Sequence, residues 1–90
     1  MQVKWTKRAL QNLEKVLSHI AIDNREAARK LAVDIANQVE QLKVFPQLGK
    51  AGRLAKIREL VLHENYVACY RVNTKAVEIV RVLHTRRKYP

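Results

Sequence analysis

The 90-residue sequence is poor in cysteine, glycine, proline and acidic side chains, and these shortages exclude several classes of protein. A single cysteine, Cys69, excludes an intramolecular disulfide framework and any zinc site built from several cysteines. Two glycines, two prolines and 48% hydrophobic residues indicate a folded chain and exclude a disordered one. No apolar run approaches the roughly 20 residues that a membrane-spanning helix needs, so we expect no membrane contact.

The length and the start of the sequence predict its organisation and its compartment. Ninety residues suffice for one modest hydrophobic core, so we expect a single domain that spans residues 1–90. The first residues contain no apolar segment of the kind that a secretory signal needs. Together with the single cysteine, this predicts a protein of the reducing cytoplasm.

Basic side chains dominate what the sequence does contain. Lys and Arg number 18 against 8 Asp and Glu, which gives a formal net charge of +10. Residues 1–45 carry 8 basic and 5 acidic side chains, whereas residues 46–90 carry 10 and 3, so most of the net charge lies in the second half. Scattered charges of this kind keep a surface solvated. The cluster at the end of the chain, where no acid follows Glu78, predicts contact with an acidic partner.

The first half of the sequence has the periodicity of one short strand and two helices. Apolar and polar residues alternate up to Trp5, and Thr6 is a suitable helix N-cap. Apolar residues then recur at helical spacing in two groups: Leu10, Leu13, Val16, Leu17 and Ile20, followed by Ala28, Leu31, Ile35, Val39 and Leu42.

The two helices are separated by a short polar break. Asp23 and Asn24 interrupt the apolar pattern, and Asp23 with Glu26 resembles a capping box for the second helix. We expect that helix to end near Phe45-Pro46, because proline disfavours helical backbone in the residue before it. The short connection predicts an antiparallel helical hairpin.

The residue pattern of the second half predicts a loop followed by strands. Residues 47–53 contain both glycines and predict a loop. Strand-like segments follow at 57–63, 66–72 and 77–84, and their short connections predict an antiparallel meander. The predicted fold class is α+β, in which an N-terminal strand precedes an antiparallel helical hairpin packed on an antiparallel β-sheet. A basic tail is expected over residues 85–90.

Few residues form patterns that carry chemistry. The three histidines are far apart, and none has the spacing of a zinc ligand pair, so we expect no metal site. Cys69 lies in the middle of a predicted strand, where a small buried hydrophobic side chain is the default. The sequence has no glycine-rich phosphate loop, and we expect no cofactor.

Basic residues of the second half can form a surface along the predicted sheet, because arginine grips phosphate with two hydrogen bonds. The residues expected on that surface are Lys50, Arg53, Lys56, Arg58 and Arg71. His63 and His84 each end a predicted strand, and imidazole transfers protons near neutral pH. A base, a cation and an acid can together cleave RNA. The sequence does not show whether these two histidines are adjacent. The alternative interpretation is that His63 is a turn residue and His84 a strand-end residue, neither with a catalytic role.

Several segments together resemble one family over essentially the whole chain. They are R-E-L-V at residues 58–61, Y-R-V at residues 70–72, I-V-R-V-L-H-T-R-R at residues 79–87 and the F-P-x-x-G…G-R loop at residues 45–53. In this order they resemble the ParE/RelE superfamily of bacterial toxins. The resemblance implies the toxin of a type II toxin–antitoxin module, which a cognate antitoxin holds inactive. Operator DNA would then be contacted only through the antitoxin.

The end of the chain is similar to the ParE branch, which implies a DNA gyrase inhibitor that causes growth arrest and serves plasmid stabilisation. The residues expected to bind the target are Arg81, His84, Arg86, Arg87 and Tyr89. Two alternatives remain. A RelE-like member would be a ribosome-dependent mRNA endoribonuclease, with His63, Arg86 and Tyr89 as candidate catalytic residues. A non-enzymatic basic nucleic-acid-binding module would show affinity for DNA or RNA that falls steeply with salt.

Overall fold

The structure is a computed structural model that describes residues 1–52 and 54–85, and the statements below refer to those residues. Two helices and a set of short strands follow one another in the predicted order. The elements are β1 (Gln2–Trp5), α1 (Lys7–Asp23), α2 (Arg25–Glu40), a 3₁₀ turn (Gln41–Lys43), β2 (Lys50–Ala51), β3 (Arg58–His63), β4 (Tyr66–Val72) and β5 (Ala76–His84).

The strands form one sheet in the order β1-β5-β4-β3-β2, which confirms the predicted α+β class. Strands β2 to β5 pair antiparallel with their neighbours in the chain, as a meander does. Strand β1 is the exception, since it pairs in parallel with β5 and sets Gln2 opposite Ala76. Its pairing was not predictable from local pattern because the two partners lie more than seventy residues apart.

Side-chain caps set the start of both helices. Thr6 Oγ1 accepts a hydrogen bond from the Ala9 N–H at 3.1 Å, which confirms the predicted cap of α1. Asn24 Oδ1 accepts a similar bond at 3.0 Å from the N–H three residues further on. The predicted capping box of Asp23 and Glu26 is wrong, because Asp23 is still the last residue of α1 and Asn24 alone separates the helices.

Replacing this cap gives a first testable prediction. Asn24→Ala is expected to lower the free energy of unfolding by about 1 kcal/mol, because the first turn of α2 loses its side-chain acceptor. Asn37→Ala is the matched control, since Asn37 is exposed within α2, where alanine is the better helix former. Urea unfolding of both variants checks the prediction, and an Asn24→Ala protein as stable as the wild type would contradict it.

The chain between the helices and the meander is more ordered than predicted. Helix α2 ends at Glu40 and continues as a 3₁₀ turn to Lys43, so the helical segment stops before the predicted end at Phe45-Pro46. The segment predicted as a loop contains β2, which adds a short edge strand beside β3. Arg53, within that segment, lies outside the described residues. Strands β3 and β5 begin within one residue of their predicted positions.

The helices cover one face of the sheet and bury a single cluster with it. Ile35 and Val39 of α2 pack there with Leu60, Tyr70 and Ile79 of the sheet. Cys69 is buried within β4, as its place in the sequence predicted. Across the described ranges, neither helix combines the length and the apolar character that crossing a bilayer requires.

Candidate binding groove beside the last strand

Three ring side chains lie side by side across neighbouring strands at one end of the sheet. Tyr66, the first residue of β4, lies opposite both His63 of β3 and His84 of β5. Its ring meets that of His84 edge-on with centroids 5.3 Å apart, and the His63 ring centroid lies 6.3 Å away. Because opposite residues of an antiparallel pair share a face, the sheet brings the two predicted histidines to the same end of the molecule.

Hydrogen bonds between the β3–β4 turn and the end of β5 hold this row in place. Thr85 donates from its N–H to Asn65 O at 2.8 Å and from its Oγ1 to Glu64 O at 3.3 Å. The Asn65 N–H donates to Nδ1 of His63 at 3.3 Å. Since Nδ1 of His63 is an acceptor there, a neutral ring carries its proton on Nε2.

A groove of about 240 Å³ opens beside this row, between α1 and β5. Its polar lining consists of Asn12, Lys15, His19, Tyr66, Arg81 and His84. Lys15 and His19 are four residues apart, so successive turns of α1 present them on the same side. Arg81 and His84 are two of the residues predicted to bind a target, and the fold places both of them here.

Among the described residues, the lining of the groove has cationic groups and no carboxylate. Asn12 Oδ1 accepts a hydrogen bond from the Val82 N–H at 3.1 Å, which ties α1 to β5 across the groove. The Nε of Arg81 is buried and has no hydrogen-bond partner among the residues that the structure describes. A buried charged donor that makes no hydrogen bond is costly, because it has lost its water and gained nothing in exchange. The arrangement therefore suits a bound oxyanion.

In the predicted basic surface, the two lysines are exposed, whereas two arginines make hydrogen bonds within the protein. Lys50 and Lys56 are exposed, and Lys56 adopts a positive φ of 64° in its turn. Arg58 donates from Nη1 to two carbonyl oxygens of the preceding loop, the nearer at 2.7 Å, so its guanidinium braces that loop. Arg71 donates from Nε to Glu78 Oε1 at 2.5 Å, and this pair cancels one positive charge of the surface.

Several predicted site residues cannot be compared with the structure. Arg53, Arg86, Arg87 and Tyr89 lie outside the described residues, and their roles stay predictions. Within residues 1–52 and 54–85, no group of three or more His, Cys, Asp or Glu side chains is arranged to hold a metal ion.

The contribution of α1 to the groove was missed from the sequence. The apolar periodicity gave no role to Asn12, Lys15 or His19. Their spacing was a usable signal, since residues 12, 15 and 19 lie on one face of a helix. Periodicity alone does not say which strand that face meets, so the link to Arg81 required the tertiary structure.

The F-P-x-x-G loop is held by a buried tyrosine. Tyr70 is fully buried, and its hydroxyl donates to Pro46 O at 2.8 Å and accepts from the Gly49 N–H at 2.8 Å. A Cβ at Gly49 would lie 2.7 Å from the backbone oxygen of Glu59, closer than real Cβ atoms approach, so the position requires glycine. The braced loop presents Phe45 to solvent, with 62% of the residue exposed.

Comparison with known proteins places this architecture in one family. The ParE toxin family of the type II toxin–antitoxin system parDE matches residues 3–89. The protein Y4kP of Sinorhizobium fredii is 34% identical over 90 residues, which cover 99% of this chain and 93% of that protein. Toxin RelE2 of Caulobacter vibrioides is 35% identical over 86 residues, which cover 96% of this chain and 97% of that one.

A solved structure agrees with the sequence relatives. A chain from the chromosomal ParDE TA system of P. aeruginosa superposes with a TM-score of 0.81 at 28% identity, over 93% of this chain and 95% of that one. Family match, relatives and fold thus agree over nearly the full length. The chain belongs to the ParE toxin family of type II toxin–antitoxin systems.

Proposed function

We propose that this chain is a cytoplasmic, single-domain toxin that inhibits DNA gyrase by binding it and that a cognate antitoxin neutralises it. The observation that carries the proposal is the groove between α1 and β5. It gathers Arg81 and His84, predicted as target-binding residues, beside Lys15 and His19, and no described residue of its lining carries a carboxylate. A surface with one sign of charge favours encounter with a protein of the opposite sign and opposes wrong partners.

The proposed action is binding rather than bond cleavage. Arg81 and His84 lie on a strand within the sheet, and the Asn12 bond fixes that strand to α1. Groups held in this way lose little conformational entropy when they bind a complementary surface. The basic residues at 86–88 extend the same end of the chain in sequence, which supports their predicted part in the contact.

The proposed antitoxin follows from the family and from the charge. A structural relative comes from a ParDE system, and this chain carries a net charge of +10. An acidic antitoxin segment that folds on this surface would bury its charges against the toxin and block the target-binding residues.

The three neighbouring rings of His63, Tyr66 and His84 support a second candidate function. His63 and His84 flank Tyr66 on three adjacent strands, so two imidazoles and a phenol are available for proton transfer at one end of the sheet. A relative carries the name Toxin RelE2. On this alternative the chain is a ribosome-dependent endoribonuclease, and His63→Ala abolishes mRNA cutting.

Induced expression with two readouts separates the candidates. Gyrase inhibition predicts that a reporter plasmid becomes relaxed in induced cells, while primer extension across abundant mRNAs shows no new ends. Coexpression of the gene next to the toxin gene is expected to restore growth. Fully supercoiled plasmid in growth-arrested cells would overturn the gyrase proposal, and new mRNA ends lost in His63→Ala would establish the nuclease.

Removal of the basic end tests its predicted contribution. Deletion of residues 86–90 is expected to weaken growth arrest at least about tenfold in the inducer concentration needed, because three cations are lost from the proposed contact. The deletion starts after Thr85, whose two hydrogen bonds hold the β3–β4 turn. Circular dichroism melts serve as the control for folding. A folded deletion variant with undiminished toxicity would contradict the prediction.

A further inference from the structure

The face of α2 that packs on the sheet includes a polar residue, Gln38. It lies three residues after Ile35 and four before Leu42, both of which are buried, so all three belong to one helix stripe. Gln38 is partly buried there, and its Nε2 donates to Leu62 O of β3 at 2.7 Å. A polar side chain in an apolar stripe gives up hydrophobic burial, and in packed helices such a residue specifies the register.

The carbonyl that Gln38 binds belongs to an extra residue in β3. The strand pairs with β4 at Val61, and its next pair is His63 opposite Tyr66, although β4 advances by one residue only. Leu62 lies between them and has no counterpart in the register of these two described strands, which is the pattern of a β-bulge. Leu62 is only 3% exposed, and an unpaired backbone group in such a place is costly. The Gln38 amide supplies its carbonyl with a donor.

This bulge aligns the three rings at the end of the sheet. With it, His63 lies opposite Tyr66, which in turn lies opposite His84. In an unbulged hairpin, Leu62 would take the place opposite Tyr66, and His63 would enter the turn. The sequence permits that form, because three-residue hairpin loops are common and Asn65 tolerates the left-handed backbone that their last residue adopts. A further contact is therefore needed to select the bulged register.

We propose that Gln38 is a positioning residue, whose bond to the Leu62 carbonyl selects the bulged register and so aligns His63 with Tyr66 and His84. The inference rests on the proposed function only for the use of the rings, since His84 is a proposed target-binding residue and Tyr66 packs edge-on against it. Helix α2 thereby shapes a binding end whose groove has no α2 residue in the described part of its lining.

Nuclear magnetic resonance on the purified full chain reads the register directly, from nuclear Overhauser effects between backbone protons of opposite residues. Gln38→Met keeps the length and helix propensity of the side chain and removes its donor. We expect the contact of His63 with Tyr66 to be lost and one between Leu62 and Tyr66 to replace it, while the contact of Tyr66 with His84 is retained. The melting temperature is expected to stay within a few degrees of the wild type, because methionine buries more apolar surface on the same face.

Two further variants make the test specific. Gln38→Lys restores a donor at this position and is expected to restore the contact of His63 with Tyr66. Gln41→Met makes the same change as Gln38→Met at an exposed position one turn further on and is expected to keep the wild-type register. A Gln38→Met protein with the wild-type register would show that the turn fixes the register by itself, and this would overturn the inference. Unfolding of that variant, or loss of its contact between Tyr66 and His84, would show a general structural role and overturn it too.

Growth arrest tests the use of the aligned rings. At equal protein level, Gln38→Met is expected to need several-fold more inducer than the wild type, and Gln38→Lys is expected to recover the difference. Undiminished toxicity of Gln38→Met with the shifted register would overturn the proposed role of this alignment. The resonance experiment contains no gyrase, so a failure of the register inference is separate from a failure of the proposed function.

Discussion

Tyr70→Phe is expected to destabilise the protein by about 1–3 kcal/mol, although it removes only one oxygen atom. That oxygen is the hydrogen-bond partner of two backbone groups, the Gly49 N–H and the Pro46 carbonyl. Tyr70 itself is fully buried, so water does not reach its side chain. Phenylalanine fills the same space, so the loss comes from two unpaired backbone groups and not from a cavity. Urea unfolding measures the effect.

Tyr66→Phe is the matched control for this change. The Tyr66 hydroxyl makes no hydrogen bond within the described part of the chain, and its ring is only partly buried. Its loss is expected to change the free energy of unfolding by less than about 0.5 kcal/mol. If Tyr70→Phe were as mild as Tyr66→Phe, the hydroxyl would not be what holds the F-P-x-x-G loop.

Gly49→Ala disturbs the same contact between Gly49 and Tyr70 by changing the glycine. The added Cβ would lie 2.7 Å from both Glu59 O, a backbone atom, and the ring of Tyr70, which is fully buried. We expect a loss of about 3 kcal/mol, the upper end of what overpacking costs. In the double variant with Tyr70→Phe the losses should add only in part, because both changes disturb the hydrogen bond between the Gly49 N–H and the Tyr70 hydroxyl. Additive losses would contradict a shared contact.

Lys15→Glu is expected to abolish growth arrest while leaving the melting temperature within a few degrees of the wild type. Lys15 is exposed on α1, so its replacement disturbs no packing, but it lines the groove that holds Arg81 and His84. The reversal replaces a cation by an anion where the proposed target brings negative charge. Such a change lowers both the association rate and the affinity of an electrostatically guided complex.

Lys30→Glu is the matched control that separates an effect of the groove from an effect of net charge. It alters the net charge by the same amount on α2, away from the groove, and is expected to leave toxicity intact. The comparison is made by titrating inducer and measuring growth for each variant at equal protein level. Equal loss of toxicity in both variants would show that net charge matters and that the groove does not.

Much of the fold was predictable because it depends on local pattern. Thr6 caps α1, Cys69 is buried in a strand, and the β-branched run around Ile79 forms a strand inside the sheet. The capping box at Asp23 failed because two adjacent residues can each cap a helix, and Asn24 is the one that caps α2, while Asp23 is still the last residue of α1. The parallel pairing of β1 with β5 depends on contacts between the two ends of the chain.

The site was predictable only in part, for the same reason. The resemblance pointed to Arg81 and His84, and the structure places them in one groove. Lys15 and His19 belong to that groove only because α1 crosses β5, which no spacing within α1 reveals. Conversely, Arg58 was expected on a binding surface, and its hydrogen bonds to loop carbonyls show that it also has a structural task.

The most direct test of the account is an ATP-dependent supercoiling assay with purified gyrase, relaxed plasmid and the purified chain. Wild-type protein is expected to inhibit supercoiling in a dose-dependent way. Lys15→Glu should require at least about tenfold more protein for the same inhibition, whereas Lys30→Glu should match the wild type. Undiminished supercoiling at a large excess of folded wild-type protein would contradict the proposal that this ParE-family toxin acts by binding gyrase.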